Sequence, residues 1–202
     1  MTDTAKDTYR TVTQSGTGQY TEKRSRFIAF ANHADSEEEA MDFVAQLKNK
    51  YHDARHVCYA YIVGNTGEAY RQNDDGEPSG TGGRPILGQL HSFDLTYTVV
   101  AVVRYFGGVK LGPGPLAVAY KTATAEALGK CRIEEVVVKA RFSVSLPYAD
   151  ADVAMRYVRS AGGEVVPESY SENGPILSVT IRQKDAQALR DKLSNILRLK
   201  FV

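Results

Sequence analysis

Asp74, Asp75 and Glu77 stand together around Gly76, and clustered carboxylates beside a glycine suit a hard cation such as magnesium. Their spacing is not that of a calcium-binding loop. An alternative use lies immediately downstream, where Gly80, Thr81, Gly82 and Gly83 lead into Arg84 at the start of a helix. There the same carboxylates would cap and charge-balance the glycine loop and Arg84. Glycines directly before a helix let backbone N–H groups converge on an anion, and the helix dipole adds attraction. Gly107 and Gly108, with Gly112 and Gly114, repeat the arrangement before a second helix. Tight turns and close helix packing would use such glycines equally well.

Between Ser79 and Lys121 lie 8 of the 17 glycines, which marks a stretch where backbone must come close to something. The same stretch holds Arg84, Arg104, Lys110 and Lys121 against one acid, Asp94, so it is a positive window in a near-neutral chain. The expected binding set is therefore Gly80, Thr81, Gly82, Gly83, Arg84, Arg104, Gly107, Gly108, Lys110 and Lys121, with Asp74, Asp75 and Glu77 as candidate cation ligands. No Gly-Lys-Ser/Thr triplet makes it a nucleoside-triphosphate loop, and no Gly-x-Gly-x-x-Gly follows a strand as a dinucleotide site requires.

Other chemistry is sparse. Ser79, Cys58 and the histidines His33, His52, His56 and His91 show no spacing that links a nucleophile to a base, so no catalytic residue is assigned. His56 and Cys58 are two apart on a predicted strand and face one side, but a zinc site needs three or four ligands. Neither a metal nor a cofactor is expected.

At 202 residues and 43% hydrophobic content the chain can bury a core, and two small domains are expected. The net charge of +1 gives no global pull toward nucleic acid or anionic membrane. Two cysteines, Cys58 and Cys131, make no disulfide framework and read as reduced thiols. Asp3, Lys6 and Asp7 interrupt any signal-peptide core, and no apolar run approaches the roughly 20 residues of a membrane span. A cytoplasmic protein follows by elimination, with about ten frayed leading residues.

The elements that would position these residues follow from periodicity. Extended pieces are expected over Tyr20 to Ala31, then a helix capped by Ser36 and Glu39 with Ala40, Val44, Leu47 and Tyr51 on one face. Val57 to Val63 and Glu68 to Gln72 form a hairpin around Gly64-Asn65-Thr66-Gly67. Arg84 to His91 reads as a short helix, Thr96 to Phe106 as a strand inside a sheet, and Gly112 to Leu128 as a long helix with Pro113 and Pro115 tolerated in its first turn. From Val136 the order becomes strand to Leu146, helix Asp150 to Ala161, strands Glu164 to Ser171 and Pro175 to Arg182, helix Asp185 to Leu197, and a closing strand Leu199 to Val202. That is the order of a ferredoxin-like α+β sandwich, which sets a boundary at 134 and domains of 1–134 and 135–202. On its first strand Lys139, Arg141, Ser143 and Ser145 would share the solvent face, without the aromatics on which an RNA-reading sheet stacks bases.

The run Asp74-Asp75-Gly76-Glu77-Pro78-Ser79-Gly80-Thr81, then Gly83-Arg84-Pro85-Ile86-Leu87, then Val102-Val103-Arg104-Tyr105-Phe106-Gly107-Gly108-Val109-Lys110-Leu111-Gly112, resembles the signature of the IMPACT family, bacterial YigZ type. The resemblance implies an N-terminal domain like ribosomal protein S5 domain 2 and a C-terminal domain like the last domain of elongation factor G. On that resemblance, eukaryotic relatives regulate translation by engaging an activator of a stress kinase through an extra N-terminal domain, which is not expected in this chain. One departure stands at Gly112-Pro113-Gly114-Pro115-Leu116-Ala117-Val118, where Val118 replaces a basic residue frequent in relatives and two prolines remove backbone donors. The resulting expectation is a non-enzymatic, translation-associated regulatory protein that binds RNA or a ribosome-linked partner through the glycine-rich basic surface. The alternative is an enzyme or a phosphate- or nucleotide-binding protein that uses the same loop with a divalent cation.

Overall fold

A computed structural model describes residues 7–202. The chain divides into two compact units, Thr8–Val136 and Val137–Val202, with Asp7 in the second. The division falls two residues beyond the boundary expected at 134.

The first unit contains β1 (Thr8–Gln14), β2 (Gly16–Glu22), β3 (Ser25–His33), α1 (Glu37–Lys50), β4 (His56–Val63), β5 (Ala69–Asn73), α2 (Gly83–Ser92), β6 (Thr98–Tyr105), α3 (Pro113–Gly129) and β7 (Arg132–Val137). Five strands form an antiparallel sheet in the order β2-β3-β6-β4-β5. Strand parity sorts its side chains into two layers. Val57, Tyr59, Tyr61 and Val63 of β4, with Val99, Ala101 and Val103 of β6, pack against Ala40, Val44 and Leu47 of α1. Cys58, Ala60 and Ile62, with Val100 and Val102, face Ile86 and Leu90 of α2 and Leu116, Ala119, Tyr120 and Ala123 of α3. A sheet buried on both faces explains why β4 and β6 read as continuous apolar runs.

The helix starts follow local chemistry. The Ser36 hydroxyl accepts from the Glu39 N–H at 3.2 Å, while the Glu39 carboxylate accepts from the N–H of Asp35, one residue earlier than a capping box predicts. Pro113 occupies the first turn of α3. On β2 a methyl group at Gly18 would sit 2.4 Å from the Ala127 nitrogen and 2.6 Å from the Ala123 oxygen, so only glycine lets α3 lie directly on that strand.

The second unit runs β8 (Lys139–Ser145), α4 (Ala151–Ser160), β9 (Glu164–Ser171), β10 (Gly174–Arg182), α5 (Ala186–Leu193) and β11 (Lys200–Phe201). Its sheet has the order β11-β8-β10-β9. Phe142, Val144, Leu146, Leu177, Val179 and Ile181 form its core with Ala154 and Val158 of α4 and Leu189 and Leu193 of α5. Lys139 and Arg141 are exposed.

Two expectations need correction. Thr8, Tyr9 and Arg10 are not frayed; they belong to β1, which pairs with β7, while the first six residues lie outside those described. The strand expected from Val136 to Leu146 is two strands. Val138 separates them because its N–H donates to the Asp7 carbonyl and its own carbonyl accepts from Gln183.

Candidate functional site

The segment between β5 and α2 opens with a tight turn. Glu77 N–H donates to the Asp74 carbonyl at 2.9 Å, and the two central residues, Asp75 at φ 44° and Gly76 at φ 86°, both lie in the left-handed region. Asn73 supports the strained Asp75 by accepting its N–H at 2.7 Å. This geometry sends the three acids to three different places.

Asp74 turns into the loop. Its carboxylate accepts from the backbone N–H groups of Gly80, Gly82 and Gly83, each at 2.8 Å. It thereby caps α2 from outside the helix, where the dipole favours negative charge. Burial by itself pushes the Asp74 carboxyl up, but the three amides outweigh it and hold the group below its ordinary value. The anion that these glycines cradle is the protein's own. Close approach explains why they are glycines: a methyl at Gly82 would stand 2.5 Å from Cys58 Sγ, and one at Gly83 would stand 2.6 Å from the Asn73 nitrogen.

Asp75 bonds to the Lys48 ammonium and to the Val57 N–H, tying the turn to α1 and β4. The Asp75 carbonyl takes a hydrogen bond from His56 Nδ1 at 2.7 Å, which places the proton on that nitrogen because a carbonyl can only accept. Glu77 points inward. Its two oxygens accept from Arg104 Nη1 at 2.6 and 2.8 Å, and the Tyr120 hydroxyl donates to Oε1 at 2.8 Å. The Glu77 and Arg104 side chains are 3% and 8% exposed. Parity explains the burial of Arg104, which continues the Val100 and Val102 row that faces α2 and α3. Burial pushes the Tyr120 hydroxyl and the Cys58 thiol upward, so both stay protonated; Cys58 donates to the Asp74 carbonyl. Among the described residues no cluster of three or more His, Cys, Asp and Glu side chains is arranged to hold a metal ion.

The remaining expected residues scatter. Thr81 is buried and donates through its hydroxyl to the Pro78 carbonyl. Gly107 donates to the Ser25 hydroxyl, and Gly108 is an exposed turn residue at φ 87°. Arg84, Lys110 and Lys121 are exposed. Arg84 and Lys121 line one groove of about 430 Å³ with Gly80, Pro85, Ala117 and Val118. Lys110 lines a different cleft of about 380 Å³, where it meets Arg55, His56, Phe106 and the inner pair Glu77 and Arg104. Sequence reasoning singled out neither Arg55 nor Phe106 as a site residue. A lone arginine before a strand carries no local signal, and the apolar run that ends at Phe106 reads as strand interior although Phe106 is 46% exposed.

Fold and site together define a two-unit, mixed α/β protein whose glycine-rich loop is organised by an internal carboxylate and flanked by two open, positively lined depressions. The Impact N-terminal domain matches residues 23–128, and the chain belongs to the IMPACT family. It is 31% identical over 188 residues to the IMPACT family member YvyE of Bacillus subtilis (strain 168), covering 93% of this chain and 86% of that protein. It is also 31% identical over 150 residues to the IMPACT family member YigZ of Escherichia coli (strain K12), covering 73% and 74% of the two chains. The crystal structure of a hypothetical protein superposes with a TM-score of 0.70 at 27% identity, covering 97% of each chain.

Proposed function

We propose that this chain is a non-enzymatic, translation-associated regulatory protein that binds RNA or a ribosome-linked partner through the groove at Arg84 and Lys121. The observation that carries the reading is the fate of the charges. Arg104 is buried against Glu77, whereas Arg84 and Lys121 line one exposed groove and neither has an acidic partner among the described residues. Two unpaired cations beside the small, partly exposed Gly80 suit a phosphate backbone that must come close. The translational part of the reading rests on family membership, because eukaryotic relatives regulate translation. The same resemblance supports an S5 domain 2-like first unit. It also supports an elongation-factor-G-like second unit, and the β-α-β-β-α-β order of that unit fits a ferredoxin-like sandwich. A cytoplasmic location belongs to this reading, and among the described residues no helix is long and apolar enough to cross a membrane.

Fluorescence anisotropy with tRNA and with single-stranded RNA across a salt series tests it. The Arg84→Glu/Lys121→Glu variant is expected to lose affinity for every sequence alike. Its log K against log salt slope should flatten by about 1.4, at roughly 0.7 per lost phosphate contact on a single strand. No binding at low salt removes the RNA version and leaves a protein partner, to be sought on ribosomes by co-sedimentation.

A further inference from the structure

The cleft beside the inner pair is built differently from the groove. Arg55 and Lys110 line it, are exposed, and have no acidic partner among the described residues. Its one acid, Glu77, is already bonded by Arg104 and Tyr120, so the cleft keeps two uncompensated positive charges. Arg104 adds a second observation. Its Nη1 is committed to Glu77, and its Nε is the one buried side-chain nitrogen or oxygen among the described residues that lacks a hydrogen-bond partner. Buried donors without acceptors are rare in folded proteins and call for an explanation such as an absent ligand. Phe106 stands 5.8 Å from the Arg104 guanidinium and remains 46% exposed, leaving an aromatic face at the cleft wall. His56 has its Nδ1 occupied by the Asp75 carbonyl, so Nε2 is its remaining polar atom and, in the neutral ring, an acceptor.

We infer that this cleft binds a phosphate monoester of a nucleotide, with Arg55 and Lys110 on the phosphate and Phe106 against the planar base. A phosphate monoester carries a charge of about −1.5 to −2 at pH 7, which matches the two free cations, whereas one carboxylate or one diester leaves a cation unpaired. An oxygen of the same group supplies the acceptor that Arg104 Nε lacks. His56 Nε2 is suited to accept from a sugar hydroxyl. The monoester has two sources, a free mononucleotide or the 5′ end of an RNA chain. No divalent cation is involved, because Asp74, Asp75 and Glu77 are each held by other partners.

Isothermal titration of the full chain with adenosine 5′-monophosphate, adenosine and inorganic phosphate tests the inference. A 5′-phosphorylated RNA hexamer and its 5′-hydroxyl counterpart complete the set. The monophosphate is expected to bind saturably and at least tenfold more tightly than adenosine. Arg55→Ala/Lys110→Ala should weaken it by at least tenfold with an unchanged thermal midpoint, since both side chains are exposed. Phe106→Ala should weaken the monophosphate more than inorganic phosphate. A hexamer preference of tenfold or more for the 5′-phosphate assigns the site to an RNA end, and equal hexamer affinities with tight monophosphate binding assign it to a free nucleotide. Adenosine binding as tightly as the monophosphate overturns the inference, as does no binding at millimolar monophosphate or an unaffected double variant. Arg84→Glu/Lys121→Glu leaves monophosphate binding intact, so a failure of this site and a failure of the RNA-facing groove are read separately.

Discussion

Removing one partner of the Glu77–Arg104 pair should damage the first unit far more than removing both. Glu77→Leu leaves a guanidinium in a site where its side chain is 8% exposed, and Arg104→Met leaves a carboxylate where its side chain is 3% exposed. An uncompensated buried charge costs about 3–5 kcal/mol, a large share of the roughly 5–15 kcal/mol that holds a typical domain together. Replacing both partners by apolar side chains of similar volume is often neutral, so Glu77→Leu/Arg104→Met should return to within about 2 kcal/mol of the parent. The Tyr120 hydroxyl loses its acceptor in both Glu77 variants, so the cycle belongs in a Tyr120→Phe background. Urea unfolding followed by far-UV circular dichroism gives the midpoints. Hydrogen exchange of the β6 amides reports the first unit alone, since two units need not unfold together. A coupling of about 3 kcal/mol or more is expected. Single variants costing under about 1 kcal/mol, or an additive cycle, would refute a buried pair that pins the loop to the sheet.

The other predictions concern the loop, the thiols and the helix contact. Asp74→Asn keeps an acceptor for two of the three glycine amides but loses the charge, at about 1.5–3 kcal/mol. Because the native Asp74 carboxyl lies below its ordinary 3.8, its contribution is present above that value and lost as pH falls through the lower native value, so the two urea-midpoint curves should converge in acid. Parallel curves down to about pH 2 would show that the amides do not favour the charged form. Cys58 is fully buried and its thiol is pushed up by burial, so iodoacetamide should label partly exposed Cys131 at least about tenfold faster in the native protein. Equal rates, read by peptide mass spectrometry, count against the packing around Asp74. Gly18→Ala should lower the thermal midpoint by an amount equivalent to about 1–3 kcal/mol, because the obstructing atoms are α3 backbone. Gly88→Ala on the exposed face of α2, with nothing within 4 Å, should be neutral or stabilising by up to about 1 kcal/mol in the same assay.

Much of the sheet was legible because β4 and β6 are buried on both faces and their apolar runs admit few other readings. β1 was not, since Thr8–Gln14 gains its order by pairing with β7, more than a hundred residues away. For the site, parity along β6 already placed Arg104 in register with Val100 and Val102. A charge on a buried row requires a partner of opposite sign, so the burial of Arg104 is legible in the sequence and overrides the expectation of a surface charge there. That Glu77 is the partner was not readable, because it depends on the Asp75-Gly76 turn folding the chain back onto the sheet.

The glycine loop separates two meanings that one sequence pattern carries equally well. Amides converging before a helix require an anion, and nothing local says whether that anion comes from outside or from Asp74. The deciding element is again the turn, which delivers the Asp74 carboxylate to the start of α2 before any ligand can reach it. The acid and glycine letters of the family signature are therefore largely consumed in building a scaffold: Asp74 holds the loop, Glu77 holds Arg104, and Gly82 and Gly83 let the start of α2 close against Cys58 and Asn73. The cations left exposed around that scaffold are Arg84 and Lys121 on one side and Arg55 and Lys110 on the other, and the binding proposed above rests on them. A relative that keeps the scaffold but changes those four side chains should keep the fold and change its ligand.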